Sequence, residues 1–90
     1  MKTYIIERDI PGVGGLDAQQ KAGAAAKSNE VLAQLAPKVK WRHSFLAKDK
    51  TFCVYEAENE AVILEHARLS GFPANKITEV AGMLDPSFGG

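Results

Sequence analysis

What the chain lacks narrows it before any motif is considered. Its 90 residues include one cysteine, Cys53, so no disulfide can close within the chain, and the expected setting is reducing and cytoplasmic. No run approaches the ~18 continuous apolar residues that a membrane-spanning helix requires. The opening residues meet Glu7, Arg8 and Asp9 too soon to hold the apolar core of a signal peptide. An excess of one charge is missing too, since 11 Lys and Arg balance 11 Asp and Glu. Nucleic-acid and anionic-membrane footprints show as basic runs or a basic excess, so neither partner is expected. There is no repeat and no low-complexity tract. A single domain over residues 1–90, with a modest core, is the expectation.

What is present alternates strand-like and helix-like stretches. Lys2 to Arg8 is β-branched and aromatic, and the turn-rich Pro11-Gly-Val-Gly-Gly15 ends it. Asp17 followed by Gln20 is a capping pair opening an alanine-rich helix that runs to about Leu35, with Ala22, Ala25, Ala26, Leu32 and Leu35 expected inward. Pro37 stops it. Val39–Leu46 and Thr51–Ala57 form a hairpin across Ala47-Lys-Asp-Lys50. Asn59 caps a second helix that ends at Ser70, before Gly71-Phe-Pro73. Ile77–Ala81 is a last strand, and residues 82–90 are an irregular tail. The order βαββαβ is the ferredoxin-like split arrangement: an α+β fold with a four-stranded antiparallel sheet and two helices on one face.

Periodicity assigns the faces. On the second helix Glu60, Glu65 and Arg68 point outward, while Val62, Ile63, His66, Leu69 and Ser70 point inward with His66 near the middle. If Leu46 pairs with Thr51, Ser44 lies opposite Cys53. One face of the hairpin then carries Trp41, His43, Phe45, Phe52, Val54 and Glu56, and the other Arg42, Ser44, Leu46, Thr51, Cys53 and Tyr55. Neither face is plainly polar, and Ile5 and Ile6 send an isoleucine to each side of the first strand. A sheet with one watery face alternates more cleanly, so the uncovered face is expected to meet a second copy. A homodimer with facing sheets follows.

Three chemistries are to be weighed at these positions. Cys53 on a central strand and inward His66 offer thiolate and imidazole to a borderline-soft divalent ion such as nickel, zinc or copper, with Glu7, Glu56 or Glu79 as completing carboxylates. No Cys-x-x-Cys, His-x-His or His-Glu-x-x-His spacing accompanies them. The bland alternative is a small buried thiol and a hydrogen-bonded core histidine. A Cys–His nucleophile pair is disfavoured, because backbone amides around mid-strand Cys53 are used by the ladder and cannot form an oxyanion hole. A polar pocket between helix and sheet, from His66, Tyr4 or Tyr55, Ser44 and Arg42, would hold a small ligand with His66 as base or anchor. Its alternative is hydroxyls that merely satisfy the imidazole. His43, placed with Trp41 and Phe45, reads as interface or core. Of Glu7 and Arg8 one must point inward; Glu7 shares its side with Ile5, and Arg8 and Asp9 are expected in solvent. The loop Gly12-Val-Gly-Gly-Leu-Asp17 is structural, since Asp17 stands where a dinucleotide loop needs glycine.

Glu7-Arg-Asp-Ile-Pro-Gly-Val-Gly14, Trp41-Arg-His-Ser-Phe45, Asp49-Lys-Thr-Phe-Cys-Val-Tyr-Glu-Ala57 and His66-Ala-Arg-Leu-Ser-Gly-Phe-Pro-Ala-Asn-Lys-Ile77 together resemble a family of small bacterial proteins, a domain of unknown function described as nickel-responsive-protein-like. The resemblance spans nearly the whole chain, with His66–Pro73 its most specific part. It implies a ferredoxin-like fold, a dimeric α+β barrel and, for some members, divalent nickel binding. The family commonly has tyrosine where Phe45 stands, so one hydroxyl is lost here. The nickel candidates that carry over are Cys53, His66 and Glu56, although the hairpin register turns Glu56 away from Cys53. A homodimeric nickel-binding protein, rather than an enzyme, is the first functional expectation; a small enzyme or ligand-binding barrel using the pocket at His66 is the second.

Overall fold

Alternating apolar residues in Lys2–Asp9 build β1, the strand around which residues 1–90 of this computed structural model are organised. A short 3-10 turn (Val13–Gly15) leads into α1 (Ala18–Leu35), followed by β2 (Val39–Leu46), β3 (Lys50–Ala57), α2 (Glu60–Ser70), β4 (Lys76–Glu79) and a second 3-10 turn at Pro86–Gly89. The sheet order is β2-β3-β1-β4 with every neighbouring pair antiparallel. This is the expected βαββαβ architecture. The last strand is shorter and earlier than expected, and the tail contains one helical turn. No helix is long and apolar enough to cross a membrane.

Local chemistry fixes the boundaries. Asp17 accepts from the Gln20 backbone while Gln20 Oε1 accepts from the Asp17 backbone, closing a capping box that satisfies otherwise orphaned amides. Asn59 Oδ1 caps α2 by accepting from the Val62 backbone. At its other end Gly71 adopts φ 78°, a left-handed conformation that glycine enters without steric penalty, and its N–H returns to the Ala67 carbonyl. The glycine loop before α1 is indeed structural. Gly12 N–H donates to Asp49 Oδ1 and Gly14 N–H to the Lys48 carbonyl, pinning the loop against the β2–β3 turn. A Cβ on Gly14 would fall 2.6 Å from the Ala47 carbonyl oxygen, so only glycine permits that approach.

Tyr4, Ile6, Val39, Cys53, Tyr55, Ala57 and Ile63 form the core between sheet and helices. Ile6 and Ile63 are fully enclosed, and burial of each such side chain contributes roughly 1.5–3 kcal/mol. Two packing details differ from expectation. In α1 the inward stripe is Ala24, Ala25, Ser28, Val31, Leu32 and Leu35, while Ala22 and Ala26 are exposed; a helix rich in alanine has little amphipathic contrast to set its rotation. In β2 the pairing shifts between Trp41 and His43, a bulge that pairs Trp41 with Tyr55 while His43 pairs with Val54. The extra residue turns Trp41 toward the helices and sends Arg42 outward, reversing the faces expected for both. Leu46 and Thr51 pair as anticipated.

Candidate functional site

The sheet and α1 do not close completely. Between them lies a cavity of about 430 Å³. β1 contributes Arg8, β2 contributes Trp41 and Ser44, β3 contributes Thr51, Cys53 and Tyr55, and α1 contributes Ala24, Ala25 and Ser28. The small alanines explain the space: where α1 carries a methyl instead of a branched chain, the helix leaves a gap above the strands.

Arg8 is the dominant polar group of that cavity. It is 3 % exposed and alternates in phase with Tyr4 and Ile6, so the inward member of the Glu7–Arg8 pair is the arginine. Glu7 points to the uncovered face, where Lys50 Nζ lies 3.2 Å away. The expectation of a solvated Arg8 is therefore corrected. Its guanidinium donates to the Pro73 carbonyl at 2.7 Å and to Tyr55 Oη at 3.4 Å, and lies over the rings of Tyr55 and Phe72 at 5.8 and 5.9 Å. No carboxylate pairs with it: every ion pair in the molecule involves other residues. Burial raises the Tyr55 hydroxyl above the usual tyrosine range, with Arg8 pulling the other way, so it is a neutral donor at pH 7.

His66 stands behind this wall. It is 1 % exposed, and its Nε2 is 3.1 Å from Oγ of Ser28, a residue of the cavity lining. Its ring packs on Tyr55 at 5.4 Å between centroids. Nδ1 is buried and has no hydrogen-bond partner. Burial first, then the positive charge of Arg8, lowers the imidazole pKa to about 4 against a small opposing effect from Ser28. The ring is therefore neutral at physiological pH, a weak general base that orients Ser28.

The other expected site residues separate. Ser44 and Tyr55 line the cavity, with Ser44 Oγ accepting from Trp41 Nε1 at 2.9 Å. Tyr4 is in the core rather than in the cavity wall. Arg42 is exposed on the outer face, ion-paired to Glu56. Cys53 does reach the cavity, where its sulfur is 3.4 Å from Thr51 Oγ1. Cys53, His66 and Glu56 thus do not converge: Glu56 is on the opposite face and His66 Nε2 is engaged by Ser28. No three His, Cys, Asp or Glu side chains anywhere in the chain gather closely enough to hold a metal ion. The cationic Arg8 beside Cys53 and His66 further opposes a divalent cation there. The residues present do not fit nickel at this position.

Arg8, Ser28 and Trp41 belong to the site without having been expected there. Period-two alternation from Tyr4 and Ile6 points to Arg8, and the spacing Ala24, Ser28, Val31, Leu35 points to Ser28. Trp41 turns inward only because of the bulge, for which the residues give no local signal.

Comparison with known proteins agrees on architecture. The crystal structure of SCO4226 from Streptomyces coelicolor A3(2) superposes with a TM-score of 0.74, covering 91 % of this chain and 99 % of that one at 17 % identity. At that identity the likeness establishes the fold. No curated protein sequence matches the chain. A family profile matches residues 4–80, and over that span the chain belongs to the family described as Nickel responsive protein SCO4226-like.

Proposed function

We propose that this protein is a homodimeric, cytoplasmic binding domain whose cavity between α1 and the sheet receives a small, largely apolar ligand. The supporting observation is the cavity itself, about 430 Å³ and walled mainly by apolar groups, with Arg8, Ser28 and Tyr55 among its polar residues. That volume lies within the ~300–1,000 Å³ of small-molecule sites, far above the ~30 Å³ that one water occupies. Pairing of two copies is supported by the uncovered face, where Phe45 is 61 % exposed and Phe52 lies across from it in register. The test is titration with n-octanol, followed calorimetrically and by Trp41 emission. Saturable binding is expected, and Ala25→Phe, which fills the cavity from α1, abolishes it. Absence of binding in the parent protein defeats the proposal.

A second reading, nickel binding, draws its support from the family description. It does not rest on Cys53, His66 and Glu56 within one chain. Nickel retained through gel filtration supports it, and Cys53→Ala and His66→Ala are expected to leave that retention unchanged.

A further inference from the structure

The polar end of the cavity is specific enough to name the chemistry of a ligand. A guanidinium keeps its charge throughout the accessible pH range and carries five N–H donors. In Arg8 one donor is committed to the Pro73 carbonyl and a second makes a long contact to Tyr55 Oη. The remaining donors have no acceptor side chain within the molecule, and no acidic group neutralises the charge. A buried cation with no counter-ion is strongly unfavourable unless something supplies the missing negative charge. The aromatic faces of Tyr55 and Phe72 offset part of that penalty. They do not supply acceptors in the guanidinium plane.

Ser28 adds a second donor, oriented by His66. Two neutral imidazole tautomers exist. With the proton on Nδ1, a buried N–H has no acceptor; with the proton on Nε2, Nδ1 is a bare lone pair, the less unfavourable orphan. The Nε2 proton therefore goes to Ser28 Oγ, 3.1 Å away, which leaves the serine proton to be shared between the neighbouring Tyr55 hydroxyl and an acceptor in the cavity. Arg8 and Ser28 thus meet at the neutral Tyr55 hydroxyl, so the three donor-bearing groups sit together in the cavity lining. Most of the remaining wall is apolar, including Val13, Leu16, Ala24, Ala25 and Leu46, with Ser44 and Thr51 as further hydroxyl residues.

We propose that the ligand is an apolar monocarboxylate, its head seated against the Arg8 guanidinium and the Ser28 hydroxyl and its body lying under α1. The proposal rests on the cavity being a ligand site. A carboxylate matches the planar guanidinium fork with two acceptor oxygens, and its single charge balances the single buried cation. A phosphate monoester brings up to two charges, and the only further cation at the cavity is Lys21, which is exposed at its rim. His66 is a positioning residue here, acting through Ser28.

Calorimetric titration of the full chain with octanoate, n-octanol and octyl phosphate tests this, because the three share one tail. Octanoate is expected to bind at least tenfold more tightly than either of the others. Arg8→Met, verified as folded by circular dichroism, should abolish the preference for octanoate over octanol. Ser28→Ala should reduce that preference several-fold. If octanol and octanoate bind the parent protein equally, or octyl phosphate binds best, the carboxylate assignment is wrong and the ligand cavity stands. If none of the three binds, both are wrong. The comparison within the parent protein decides the matter even if Arg8→Met fails to fold.

Discussion

Acidification should destabilise this fold through one imidazole. His66 has a pKa of about 4 in the folded protein against 6.5 when free. Folding therefore depresses it, and the unfolded chain binds the proton more readily. Stability is fully present above the unfolded pKa, declines as pH falls below 6.5, and reaches its full loss at and below the folded value near 4. At ~1.36 kcal/mol per unit, that full loss is about 3 kcal/mol, and between about pH 7.5 and 5 it is about 2 kcal/mol. For a domain of this size, with a urea m-value of ~1–2 kcal/mol/M, the midpoint should fall by about 1–2 M over that interval. The assay is urea unfolding by circular dichroism at both pH values, at fixed protein concentration because dimerisation would shift the midpoint. His66→Gln provides the comparison: it retains a polar end for Ser28 but cannot titrate. The variant should be less pH-sensitive than the parent by that ~2 kcal/mol, while exposed His43 remains in both. Equal decreases in the two proteins would show that His66 is not held neutral by its surroundings.

Other perturbations address the frame around the site. Asp17→Ala removes the half of the capping box in which Asp17 Oδ1 accepts from the Gln20 backbone and should lower stability by about 1 kcal/mol, measured by the same denaturation. Gly14→Ala forces a methyl into the Ala47 carbonyl; thermal unfolding should report a clear drop, whereas Gly15→Ala, with open space around it, should change little. Ile63→Ala leaves a void in an enclosed core position and should be destabilising by roughly 2–5 kcal/mol. On the uncovered face, Phe52→Glu places a charge opposite Phe45 and beside Glu7. Sedimentation equilibrium is expected to show a dimer for the parent protein and a monomer for the variant; unchanged association would mean that this face is not the contact.

The elements are legible in the residues because their signals are local. The capping pair at Asp17 and Gln20, the Asn59 cap and the glycine after Ser70 each mark a helix end by the hydrogen bonds they make. The hairpin follows from alternation and a short polar turn. The inward placement of His66 follows from the clear division of α2 into charged and apolar sides. The site is less legible because it depends on relations between elements. A single inserted residue in β2 reverses Trp41 and Arg42, which removes the arginine first expected in the pocket. Arg8 takes that place from another strand, at a position where charge normally indicates solvent. In the Cys53, His66 and Glu56 grouping, the hairpin register already turns Glu56 away from Cys53; what depends on assembly is the packing of α1 on α2, which engages His66 Nε2 with Ser28.

The shift in pairing at Trp41 and His43 also bears on solubility. β2 is a border strand of the sheet, and an unbroken border offers a row of free amides and carbonyls on which another chain can build. One surplus residue puts that row out of step, so an incoming strand loses register part of the way along. The same irregularity that brings an indole to the cavity thus discourages the sheet from growing into a fibre.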